Sequence, residues 1–87
     1  MDKGLLPYIK YKITGFTGII PKKVNYGGED VFIFDDYEFS VVDTGQDYIF
    51  HLYQVNTHYE HEWEIEKWPK EDVYDMIDDI FYDLYPI

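Results

Sequence analysis

Residues 58–67, HYEHEWEIEK, place Glu60, Glu62, Glu64 and Glu66 at every second position, with Tyr59, His61, Trp63 and Ile65 between them. Strict alternation marks a strand whose two faces differ, because successive side chains of extended backbone point to opposite sides. Four carboxylates on one strand face accept hydrogen bonds from lysine and arginine as phosphates do, and they attract basic partners. A second set of acids follows: Glu71, Asp72, Asp75, Asp78, Asp79 and Asp83. On a wheel of about 100° per residue these fall opposite Val73, Met76, Ile77, Ile80, Phe81 and Leu84. The segment predicts an amphipathic helix with an acidic outer face. Tyr74, Tyr82 and Tyr85 lie on or beside that face, and with Tyr59 and Trp68 they are the candidate aromatic anchors of a protein interface.

Other chemistries find less support. His51, His58 and His61, close to Glu60 and Glu62, raise the question of a metal, but His58 and His61 fall on opposite faces of a regular strand unless the turn extends through His58. Cysteine is absent, as are a G-x-S-x-G elbow, a P-loop and a G-x-G-x-x-G fingerprint; Gly27-Gly28 alone is a turn. Neither catalysis nor a cofactor or metal is expected.

The elements that must carry the acids are read from period and punctuation. Residues 8–14, YIKYKIT, alternate Ile9, Tyr11 and Ile13 against Tyr8, Lys10 and Lys12 and predict a half-buried strand; FTGII, 16–20, gives at most an edge strand ending before Pro21. After the Gly-Gly turn come the apolar run 31–34, a strand at 37–43, a turn at Thr44-Gly45-Gln46, a strand at 48–55 with both faces partly covered, and the glutamate strand from 59. Pro69 suits the first turn of the final helix, Glu71 and Asp72 complement its positive end, and Pro86 lies just past its close. The architecture expected is α+β: an antiparallel sheet of about five strands with one C-terminal amphipathic helix packed on it, in a single domain spanning 1–87.

Ten Tyr, six Phe and two Trp in 87 residues make that core aromatic, with no disulfide to assist it. No apolar run approaches the roughly 18–20 residues of a membrane span, and the N-terminal residues lack a secretory h-region, so the chain reads as soluble and cytoplasmic. The net charge of −11 argues against direct binding to nucleic acid or an anionic membrane, and in favour of basic partners. Residues 1–28 hold five Lys and one acid, whereas 29–87 hold seventeen acids and two Lys. The helix face has no Lys or Arg after Lys70, although a face serving solubility alone would mix both signs.

In size, charge and its two acidic rows at 60–66 and 71–83, the chain resembles the small acidic phage proteins that block CRISPR or restriction nucleases by DNA mimicry. The resemblance implies a non-enzymatic anti-CRISPR or anti-restriction inhibitor acting in the host cytoplasm. Its partner would be a basic nucleic-acid-binding protein such as a nuclease. The contact residues would be Glu60, Glu62, Glu64, Glu66, Glu71, Asp72, Asp75, Asp78, Asp79, Asp83, Tyr74, Tyr82 and Tyr85. The alternative is a structural or regulatory interaction module, an immunity protein or antitoxin included, that binds through an aromatic surface or a sheet edge. Either reading allows a monomer or a homodimer.

Overall fold

The structure, a computed structural model, describes residues 4–86; Asp2 and Lys3, counted above in the basic N-terminal segment, lie outside the described residues. The order of elements is α1 (Leu5–Thr17), β1 (Lys22–Tyr26), β2 (Glu29–Phe34), β3 (Tyr37–Asp43), β4 (Asp47–Gln54), β5 (Tyr59–Glu66) and α2 (Lys70–Leu84). The class is α+β, with an antiparallel sheet of five strands and a C-terminal amphipathic helix, as expected; the set of strands differs, because β1 is a strand that periodicity does not mark and the strand read at 8–14 is absent. The chain forms two compact units: residues 22–67, which hold the sheet, and residues 4–21 with 68–86, which hold the helices.

The first element departs from expectation. Residues 8–14 are not a strand but the middle of α1, and 16–20 hold the end of that helix and its exit, with no strand. Ile9 and Ile13, four apart, satisfy a period of 2 and a period of 3.6 equally well. Tyr11 separates the two: a strand would bury it beside them, whereas it is 69% exposed. Leu5, Ile9 and Ile13 form the buried helical stripe. Pro7 falls in the first turn, where its missing N–H has no partner to lose. Gly18 closes the helix in the left-handed region, φ 73°, donating its N–H to the Thr14 carbonyl at 2.8 Å.

In the sheet unit the strands follow one another in chain order, β1-β2-β3-β4-β5, each antiparallel to the last. Tyr26 and Glu29 are joined through Gly27 and Gly28, whose φ values of 60° and 90° suit the tight hairpin. Register puts Phe32, Phe39 and Leu52 in one row across β2, β3 and β4, and Val41 and Phe50 in the next. These residues and Phe34 are all buried and share one face, on which Phe39 and Phe50 stack with centroids 5.8 Å apart.

In the helical unit, Val73, Ile77, Ile80 and Phe81 of α2 are buried and Leu84 is half-buried. Tyr8 stacks on Tyr74 at 4.6 Å, one end of a series of contacts that reaches Phe16 against Phe81, Tyr82 and Tyr85 at the other. Contacts that advance along both helices together mean that α1 and α2 run parallel. Pro69 stands at the N-cap of α2 in extended conformation, φ −70°, just before the helix rather than inside it. None of the helices among the described residues is long and apolar enough to cross a membrane.

Candidate functional site: an acidic edge strand and an acidic helix face

β5 alternates because one of its faces is apolar. Tyr59, His61, Trp63 and Ile65 lie in register with Gln54, Leu52, Phe50 and Tyr48 on the face that holds the buried phenylalanines. Glu60, Glu62, Glu64 and Glu66 are thereby committed to the other face, in register with Tyr53, His51, Ile49 and Asp47, and all four are exposed. Same-face residues of a strand are about 6.6–6.8 Å apart, so the row spaces its charges evenly. His51 Nε2 lies 2.8 Å from Glu60 Oε1, and among the described residues Glu62, Glu64 and Glu66 have no ion-pair or side-chain hydrogen-bond partner.

The helix acids divide. Glu71, Asp72, Asp75, Asp79 and Asp83 are exposed, with Asp75, Asp79 and Asp83 stacked at i, i+4, about 6 Å of rise per step. Asp78 is half-buried and claimed by α1: it accepts a hydrogen bond from the Tyr8 hydroxyl at 2.6 Å and pairs with Lys12 Nζ at 3.0 Å. Burial, then the Asp78 hydrogen bond and charge, raise the Tyr8 pKa. At Lys12 burial alone would lower the ammonium's pKa, but the Asp78 hydrogen bond and charge, with Tyr8, outweigh it, and the pKa rises. Lys12 thus pairs internally; Lys10, Lys22 and Lys23 stay exposed, with Lys23 Nζ 3.9 Å from Asp30 Oδ1.

The aromatic candidates divide likewise. Tyr74 and Tyr85 are half-buried, stacked on Tyr8 and Phe16 respectively, while Tyr82 is 51% exposed with an edge on Phe16. Trp68 is 73% exposed and Tyr59 is also open. Trp63 lies on the face opposite the glutamates, as the alternation requires.

The turn after β4 does extend through His58, which takes φ 58°. Its Nδ1 lies 2.8 Å from the Tyr53 hydroxyl, and the His61 ring packs against Trp63 at 4.3 Å, so the two imidazoles serve different neighbours. Among the described residues no three His, Asp or Glu side chains are grouped to hold a metal ion.

Sequence reasoning missed the claim on Asp78, because the residue that makes it, Tyr8, is 70 positions away in a segment read as a strand. It also missed the contact of His51 with Glu60, which depends on the β4–β5 register. Comparison with protein-family models, with curated proteins and with solved structures gives no match for this chain.

Proposed function

We propose that this chain is a non-enzymatic inhibitor that binds a basic nucleic-acid-binding protein, such as a nuclease, and places carboxylates where that protein receives phosphates. The observation that carries the reading is the exposed, one-signed row of Glu60, Glu62, Glu64 and Glu66, three of them without a side-chain partner among the described residues. Asp75, Asp79 and Asp83 supply a second row with nearly the same spacing. A carboxylate every ~6–7 Å in each row compares with one phosphate per ~3.4 Å of axis along a single DNA strand. Each row therefore offers about half the charge density of one strand, enough to steer a basic cleft and too sparse to copy a duplex in detail. Acting against a CRISPR or restriction nuclease in a host cytoplasm is the setting in which such a protein would work.

The test is affinity capture from bacterial lysate on the immobilised chain, eluted by a salt gradient with and without excess duplex DNA. A nuclease or other nucleic-acid-binding protein released by salt and displaced by DNA is the expected result. A captured partner indifferent to both would overturn the reading. That outcome would favour the second one, a binding module that uses the exposed rings of Trp68, Tyr59 and Tyr82. In that case Tyr82→Ala abolishes capture and charge reversal of the glutamates leaves it intact.

A further inference from the structure

Antiparallel strands alternate in where their backbone groups point as well as their side chains. The Lys67 N–H donates to the Gln46 carbonyl at 3.1 Å, and these residues extend the Asp47–Glu66 register by one step. Gln46 and Lys67 are thus a hydrogen-bonded pair. Counting back by twos, Ile65, Trp63, His61 and Tyr59 are the β5 residues that turn N–H and C=O toward β4. The opposite side of β4 gives the same parity. Thr44 N–H donates to the Asp47 carbonyl at 3.0 Å and Val55 N–H to the Asp36 carbonyl at 2.8 Å, so odd-numbered β4 residues serve β3 and even-numbered ones serve β5. Glu60, Glu62, Glu64 and Glu66 are left with their backbone N–H and C=O directed away from the sheet. β5 is the last strand of its sheet, and nothing among the described residues bonds these groups.

We propose that this open edge of β5 receives an extended basic segment of a partner protein, carrying Lys or Arg at every second position. An added antiparallel strand forms its hydrogen-bonded pairs with the four glutamates, and residues directly opposite one another share a face. The partner's alternate side chains then stand beside Glu60, Glu62, Glu64 and Glu66 at matching spacing, which selects cations there. The β5 strand of a second copy does not fit as occupant. Its own outward-bonding residues are the same four glutamates, so antiparallel self-pairing sets Glu against Glu, a destabilising arrangement. The inference stands on strand register and is independent of the cleft-mimic reading; either can fail alone, because carboxylates acting as phosphate surrogates need no backbone pairing.

The test uses the intact protein and three capped octapeptides: Lys and Thr alternating, the same residues with the four Lys in one block, and the alternating peptide N-methylated on one edge. NMR-detected hydrogen exchange is followed during each titration. The alternating peptide should bind at least about tenfold tighter than the block peptide, as four matched cross-strand pairs would give. It should slow exchange at the amides of Glu60, Glu62, Glu64 and Glu66, which the N-methylated form should not do. Equal binding of alternating and block peptides without protection of those amides would overturn the proposal and leave the acids as diffuse charge. Protection of the same amides on raising protein concentration alone would overturn it in favour of a second copy.

Discussion

Asp43 and Lys67 show what becomes of an acid that the fold claims for itself. Lys67 Nζ lies 2.6 Å from Asp43 Oδ1, which also accepts the Gly45 N–H at 2.8 Å, and the lysine ammonium reaches over the Tyr48 ring. The hydrogen bond from Lys67, then that from Gly45, holds the Asp43 carboxyl below the usual carboxylate range, and the same pairing raises the Lys67 ammonium. The signs differ. The Asp43 contribution to stability is fully present above the ordinary carboxyl value of about 3.9 and is lost as pH falls through its depressed folded value. The Lys67 contribution is present below about 10.4 and is lost as pH rises through its raised value. Asp43→Asn keeps an acceptor for Gly45 and removes the charge. Its melting temperature should lie below that of the wild type at pH 7, and the gap should close as pH is lowered beneath 3.9. A gap that stays constant from neutral to strongly acid pH would mean that the pair contributes nothing to folding. Glu62, Glu64 and Glu66 have no such partners among the described residues, so their charge is not neutralised inside the fold.

Among the elements, α2 and β5 were legible in the sequence because each repeats one unambiguous period over many residues, and two of the turns because Gly27-Gly28 and Thr44-Gly45 mark them, although β1, the strand before the first turn, was not legible. α1 was not, since two isoleucines four apart fit both periods and β-branched and aromatic residues dominate the segment; pairing with α2 overrides that local preference. Of the candidate site, which acids share a face could be read from spacing. That Asp78 is taken by Tyr8 and Lys12, and that the glutamates turn their backbone groups outward, could not. The first follows from a pairing between segments about 70 residues apart, the second from the exact hydrogen-bond phase of the β4–β5 hairpin, which side-chain spacing alone does not fix. α2 also holds a stability cost of its own. Asp75, Asp79 and Asp83 repel at i, i+4, and the last turn contains no basic residue to complement the negative helix end. Asp83→Lys should raise the urea midpoint by the equivalent of about 0.5–1 kcal/mol. If the helix row serves binding, the same change should weaken salt-sensitive capture. An unchanged or lower midpoint would indicate that Asp83 has a structural use.

For the whole molecule the question is whether a charged chain with an open eight-residue strand pairs with itself. A two-fold axis at Trp63 would set Glu60 opposite Glu66 and Glu62 opposite Glu64 of the second copy, four like-charge pairs, each working against association. Two variants of equal net charge isolate this arrangement from charge in general. In E60K/E62K each lysine meets a glutamate across the axis, Lys against Glu66 and Lys against Glu64. In E60K/E66K the lysines meet each other and Glu62 still meets Glu64. Sedimentation velocity at ~0.1 mM protein and ~0.15 M salt, where surface charges are still felt over about 8 Å, should find E60K/E62K dimeric and both E60K/E66K and the wild type unpaired through this edge. If the two variants sediment alike, net charge rather than strand register governs association. The glutamate row would then be a solvated face, with no power to choose what docks beside it.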